Sequence, residues 1–252
     1  MLEKSILERV ASEENLIDND KAFFMRVWNT DQSVYRKRLE AIGFKNFSNV
    51  LDAGSGFGQW TSELAKLNEN VTAFEYSSQR LSASQKIMGE MKIGNCKFIQ
   101  GTIEAIPVKD GFFDSIFAYS SILCTDYRKT LREFHRVLQP NGKLYFNTNG
   151  LGWYLYNMID GHNSIASFSS RQMAIDTIKD SFKYYIDGVH QPGSTLLMDR
   201  QIVVKELIEM GFEVIAQGAE GTINLTKETI TPFFKGEYYG EEGVFEILAV
   251  KR

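Results

Sequence analysis

The sequence predicts an α/β fold built on a mostly parallel sheet, and three observations carry that expectation. Val50-Leu51-Asp52-Ala53 runs straight into Gly54-Ser55-Gly56-Phe57-Gly58, and a helix-compatible stretch follows from Gln59 to Lys66; this is strand, tight turn, helix. Residues 70–75 form a second apolar run that again closes on an acid, Glu75. Residues 112–118 are nearly continuously apolar, as parallel strands buried on both faces are.

Composition bounds the problem. With 252 residues, 43% of them hydrophobic, the chain can bury a full core. The expectation is one domain over residues 1–252, with a helical flank at 1–42 and an insertion at 149–198. A net charge of −4 leaves no electrostatic footprint for a nucleic-acid backbone. Cys96 and Cys124 stand far apart without metal-ligand spacing, which points to a reduced intracellular chain with no metal site. No run of roughly 18 apolar residues is present, and the start lacks the basic-then-apolar form of a secretory signal, so cytoplasm is the expected compartment.

The elements follow in order. In the flank, Leu2, Ile6 and Val10 share one helical face, and Phe24, Trp28, Tyr35, Leu39 and Ile42 mark a second amphipathic stretch interrupted near Asn29-Thr30-Asp31. After the glycine turn, Trp60, Leu64 and Leu67 form the buried stripe of a crossover helix. Ser77 caps the next helix, which buries Leu81, Ser84, Met88 and Met91. Residues 96–100 form the third strand and residues 112–118 the fourth. Leu131, Phe134, Val137 and Leu138 then mark a helix that Gln139-Pro140-Asn141-Gly142 stops, turning the chain into a strand at residues 143–147. Residues 211–215 and 244–250 supply the last strands.

The glycine turn allows φ > 0 and lets a ligand lie against main-chain N–H groups. Counting G-x-G-x-x-G from Gly54 puts Gln59 at the last position, which disfavours a pyrophosphate-binding dinucleotide site. A carboxylate at the end of the second strand, Glu75, can accept from both hydroxyls of a ribose.

Leu51-Asp52-Ala53-Gly54-Ser55-Gly56-Phe57-Gly58 resembles the first motif of the class I S-adenosylmethionine-dependent methyltransferases. Gly101-Thr102-Ile103-Glu104-Ala105-Ile106-Pro107 is similar to their adenine-binding segment, and residues 132–144 match the helix-to-strand passage of that family. The resemblance implies a Rossmann-like, seven-stranded, mostly parallel sheet with an antiparallel last strand, helices on both faces and a helical cap insert. It implies S-adenosyl-L-methionine as cofactor, S-adenosyl-L-homocysteine as product, and a cofactor site of Asp52, Gly54, Ser55, Gly56, Glu75, Tyr76, Gly101, Thr102, Ile103, Glu104, Ala118 and Tyr119. Many relatives have Asp where Thr102 stands, and many small-molecule methyltransferases have His near Cys124. This chain departs from both patterns.

The insertion at 149–198 is longer than a plain connection and rich in aromatic residues, among them Trp153, Tyr154, Tyr156, Phe182, Tyr184 and Tyr185. It reads as a substrate cap for an organic ligand, with a dimerisation insert as the other reading. The expected reaction is methyl transfer to O or N of a small organic acceptor. A hydroxyl acceptor needs its proton removed, which makes His190 and His162 the candidate bases and Tyr119 an orienting group; a neutral amine needs no base. The alternatives are a protein or RNA acceptor, or a binding module that kept the fold and lost turnover. The absence of an Asn/Asp-Pro-Pro-Tyr/Phe tetrapeptide and the negative charge weigh against a nucleic-acid substrate.

Overall fold

The computed structural model describes residues 2–162, 164–165 and 168–252; residue 1 of the flank and residues 163, 166 and 167 of the insertion lie outside that description. Seven strands form the central sheet: β1 (Asn49–Ala53), β2 (Asn70–Glu75), β3 (Cys96–Gln100), β4 (Phe113–Tyr119), β5 (Leu138–Asn149), β6 (Phe212–Ala219) and β9 (Val244–Lys251). A separate hairpin pairs β7 (Glu237–Tyr238) with β8 (Glu241–Glu242). The spatial order is β3-β2-β1-β4-β5-β9-β6. β1 pairs in parallel with β2 on one side and β4 on the other, so the chain reverses its direction of travel across the sheet between β1 and β4. A crevice opens at the carboxyl ends of strands at such a point. β9 runs antiparallel to both β5 and β6.

Side chains alternate across the sheet with the two-residue period of a strand. Leu51, Ala53, Ile116, Ala118, Leu144, Phe146, Ile247 and Ala249 face one core, covered by α6 (Tyr127–Val137) and α9 (Arg200–Glu209). Val50, Val71, Phe117, Tyr145 and Leu248 face the other, covered by α3 (Ser33–Ala41) and α4 (Gln59–Leu67). A third cluster joins α1 (Lys4–Glu13) and α2 (Asp18–Asn29) to α5 (Ser78–Glu90) through Leu7, Val10, Phe24, Val27, Trp28, Phe57 and Ile87.

The second flanking stretch is two helices. Thr30 is extended at ψ 144°, and the Asp31 carboxylate accepts from the Ser33 amide (3.0 Å) and hydroxyl (2.7 Å), which turns the chain into α3. The helix expected to stop at Gln139-Pro140 ends earlier, at Val137. Leu138 already pairs with Phe113, and a register shift between Phe113 and Ser115 takes up the Pro140-Asn141-Gly142 turn inside β5.

Within the insertion, α7 (Leu151–Asp160) and α8 (Ser170–Asp187) bury Tyr154, Ala174 and Tyr184. Gly152 sits so close to the β8 backbone that any Cβ there would overlap the Glu241 carbonyl. Among the described residues no helix is long and apolar enough to cross a membrane.

Candidate functional site

The carboxyl ends of β1, β2 and β4 open into a cavity of about 1320 Å³. Its floor is the glycine turn, where Gly54, Gly56 and Gly58 adopt φ of 79°, 55° and 83°, the left-handed region that side chains disfavour. The three glycines do different work. A Cβ on Gly54 would overlap Ser121, and one on Gly58 would overlap Ser84 of α5, so these two serve close packing; a Cβ on Gly56 would meet nothing within 4 Å. The space above Gly56 is room for a ligand.

Glu75 is fixed beside that space. One carboxylate oxygen accepts the Gly56 amide and the other the Ser77 amide, both at 2.9 Å. Each oxygen keeps a further acceptor site for a hydroxyl. Ser55, Tyr76, Gly101, Thr102, Ile103 and Glu104 also line the cavity. Ile103 offers a buried apolar face, Tyr76 is largely exposed, and Glu104 accepts the Asp126 amide at 2.8 Å. The Thr102 hydroxyl accepts the Glu104 amide at 3.3 Å, a local turn contact. Gly101 is held to glycine because a Cβ would press on the Phe74 ring at 2.7 Å.

Three expected residues stand elsewhere. Asp52 is 1% exposed and is absent from the cavity wall; the strand alternation turns its carboxyl away from the cavity, where it accepts the Thr61 hydroxyl of α4 at 2.6 Å. Burial pushes it up to about 7, against the pull of Thr61, and the charge of Glu75 adds to the rise. Ala118 is fully buried behind the lining residues. His162 lies outside the cavity on the exposed side of α7, with Nδ1 3.1 Å from the Tyr156 hydroxyl and its ring stacked on Tyr156 at 4.6 Å.

His190 is the histidine that lines the cavity among the described residues. Its Nε2 lies 3.1 Å from the Ser194 carbonyl. A carbonyl only accepts, so Nε2 carries the proton, and in the neutral ring Nδ1 keeps the free lone pair. His135 packs edge-on against Phe212 at 5.2 Å and is structural, as its helical setting implies.

Tyr119, at the end of β4, joins an aromatic wall in which Trp60 lies 4.6 Å away, and Tyr35 meets Trp60 at 4.8 Å and Phe233 at 5.6 Å. The Tyr119 hydroxyl donates to Glu220 at 2.9 Å. Burial, reinforced by the Glu220 charge, raises it well above the ordinary tyrosine value, so Tyr119 remains a proton donor. Glu220 belongs to a buried network: Arg38 donates to it at 2.5 Å and to Glu246 at 3.2 Å, and Tyr145 donates to Glu246 at 2.7 Å. The other Glu220 oxygen accepts the Phe233 amide at 2.8 Å, which sets the Phe233 ring against the cavity. Ser120, the next residue of the lining, is held at φ 52° with its amide bonded to the Asn147 side chain at 2.7 Å. Among the described residues no group of three or more His, Cys, Asp or Glu could hold a metal ion.

The comparisons agree with this geometry. Residues 51–146 match the family model described as a methyltransferase domain. The ubiquinone/menaquinone biosynthesis C-methyltransferase UbiE of Proteus mirabilis is 30% identical over 145 residues, 55% of each chain, so this chain spans about half the length of the curated relatives it matches. Geranyl diphosphate methyltransferase in complex with SAM superposes at a TM-score of 0.63 with 14% identity, over 93% of this chain and 92% of that one. The [4+2]-cyclase SpnF superposes at 0.58 with 15% identity, over 87% and 80%. At these identities the two solved structures speak for the fold alone. Motif, sheet order and family match converge on one part of the chain: residues 51–146 match a methyltransferase domain and carry the glycine turn at the switch point of the sheet.

Proposed function

We propose that this chain binds S-adenosylmethionine on the glycine turn and transfers its methyl group to a small organic acceptor. The observation that carries the reading is the continuity of one cavity from Gly54–Gly56 and Glu75 to the wall of Tyr35, Trp60, Tyr119 and Phe233. The open space above Gly56 and the two-point hold on Glu75 fit the cofactor: Glu75 would take the ribose hydroxyls, and Ile103 the adenine face. When bound, the cofactor supplies an activated methyl group on a sulfonium. The protein's part is to bring the acceptor to near-attack distance and to exclude water, which the aromatic wall does.

His190 is the residue that would take the acceptor's proton, at Nδ1, where the acceptor atom is a hydroxyl oxygen or a protonated nitrogen. Tyr119 would orient the acceptor through its ring, since its hydroxyl is engaged by Glu220. The UbiE relatives are named for carbon methylation, which makes carbon the second acceptor atom to assay. In this reading residues 1–252 act as one methyltransferase unit in the cytoplasm; the flank at 1–42 closes the donor end, and residues 188–195 of the insertion form part of the cap.

A roofed cavity with an aromatic wall favours a small molecule over a protein or RNA acceptor. The test is calorimetry with S-adenosylmethionine and S-adenosylhomocysteine, followed by transfer of a labelled methyl group to panels of phenols, amines and quinols. Binding of both and labelling of one panel are expected. Absence of heat with either ligand overturns the enzyme reading.

A further inference from the structure

A buried cluster of charge stands directly behind the aromatic wall. Glu220 accepts from the Tyr119 hydroxyl (2.9 Å), from Arg38 (2.5 Å) and from the amides of Phe233 (2.8 Å) and Phe234 (3.3 Å). Glu246 accepts from Arg38 (3.2 Å), from the Tyr145 hydroxyl (2.7 Å) and from the Ile223 amide (2.6 Å). Every partner is an N–H or O–H donor, which is how an ionised carboxylate is satisfied. Burial pushes Glu220 up, and Arg38 and the Tyr119 hydroxyl pull against that rise. Two carboxylates thus share one guanidinium, and the buried cluster keeps a surplus negative charge.

Such a surplus is costly in a dry setting unless an opposite charge comes close. The cavity wall has none to spare: Arg26, Arg80 and Lys129 are outnumbered by Asp20, Glu75, Glu104 and Asp126. Rings separate the cluster from the cavity. Phe233 stands nearly perpendicular to Trp60 (89°, 6.0 Å) and to Tyr119 (85°, 6.3 Å), and all three line the cavity. The Arg38 charge, 5.7 Å from the Phe233 centroid, is already matched by one glutamate; the other is the surplus. Aromatic faces attract cations, and the charge behind these rings acts in the same direction.

We propose that the corner of Trp60, Tyr119 and Phe233 is an alkylammonium site, and that the acceptor is an amine held there as its cation. The assignment rests on the proposed methyl transfer and selects amines from among its acceptors, since a phenolate would meet the same charge with the wrong sign. Methylation at nitrogen needs the lone pair, so the held ammonium first gives one proton to Nδ1 of His190, which lines the same cavity and returns it to solvent. The lone pair then forms the N–C bond as the methyl's bond to sulfur breaks, and that electron pair stays on sulfur. The product is again a cation and suits the same corner. The sulfonium of the donor is the other source of this chemistry, and the experiment separates the two.

The experiment is calorimetric titration of the full chain, saturated with S-adenosylhomocysteine, with choline and with neohexyl alcohol, in which a neutral carbon replaces the quaternary nitrogen. Choline is expected to bind at least about tenfold tighter than the alcohol. Glu220→Gln removes the surplus charge and should lower choline affinity about 5- to 10-fold while the alcohol stays within about twofold. Phe233 is 38% exposed, so Phe233→Leu is a second variant that leaves the buried carboxylates in place; it should lower choline affinity about 3- to 10-fold and spare the alcohol. Equal binding of the two probes by the unaltered chain, or an equal loss for both in Phe233→Leu, overturns the assignment. A second arm compares S-adenosylmethionine with S-adenosylhomocysteine. A Glu220→Gln penalty that falls on the sulfonium ligand and spares choline overturns the acceptor site in favour of the donor. Failure of the unaltered chain to bind S-adenosylhomocysteine overturns the transfer reading and this one with it, whereas its binding without preference for choline overturns only the ammonium site.

Discussion

The Tyr119 hydroxyl donates to the Glu220 carboxylate at 2.9 Å, and this bond ties the end of β4 to the segment that carries Phe233. Both glutamates of the network are buried, and Arg38 is 3% exposed and supplies the compensating charge. Removing that charge leaves two buried carboxylates facing each other. Arg38→Met is expected to cost about 3–5 kcal/mol in urea unfolding, while Tyr119→Phe, which leaves the Arg38 pair intact, should cost only about 1–3 kcal/mol. Equal costs would show that the carboxylates are not held by Arg38.

The glycine turn offers a contrast between neighbours. Gly58→Ala adds backbone strain and overlap with Ser84, so a stability loss of about 2–4 kcal/mol is expected. Gly56→Ala adds strain alone, about 1–2 kcal/mol, because its Cβ would enter open space. On the proposed reading the cofactor takes that space, so Gly56→Ala should weaken S-adenosylhomocysteine binding at least about tenfold, or roughly 1.4 kcal/mol, measured by calorimetry well below the melting temperature.

Asp52 makes stability depend on pH. Its folded value of about 7 lies above the ordinary 3.8, so the unfolded chain releases this proton first. The contribution is fully present below about pH 4 and is lost as pH rises toward 7. Asp52→Asn cannot ionise. The stability of the variant relative to the unaltered chain should therefore improve between pH 4 and pH 8, by about 4 kcal/mol at most. A flat difference across that range would place the Asp52 carboxyl in a far wetter setting than 1% exposure implies.

The two histidines of the insertion should separate in kinetics. With an acceptor that must lose a proton, His190→Gln is expected to lower kcat by about 10²- to 10⁴-fold with the donor saturating. His162→Gln, outside the cavity, should stay within about twofold, since exposed substitutions rarely change energies by more than 0.5 kcal/mol. A matching fall in both would move the reaction centre toward Tyr156.

Much of this architecture is legible in the sequence. Local patterns carry it: the apolar alternation of the strands, the glycine turn and the acid closing β2; the Pro140-Asn141-Gly142 turn marks the passage from α6 to β5 but falls inside the strand. The sheet order adds what no local pattern holds, because Arg38, Glu220 and Glu246 meet only after the chain has folded. Asp52 is legible as a residue and illegible in direction; its position at a strand end fits either the cavity or α4, and register with Thr61 decides.

The Arg38 network also bears on how the protein is made. Arg38 is 182 residues from Glu220 and 208 from Glu246, so the aromatic wall that this pair supports cannot close while the ribosome still holds the last strand. The glycine turn, β1 and β2 draw on contacts tens of residues apart and can assemble much earlier. A nascent chain would therefore build the glycine-turn side of the cavity before its aromatic wall.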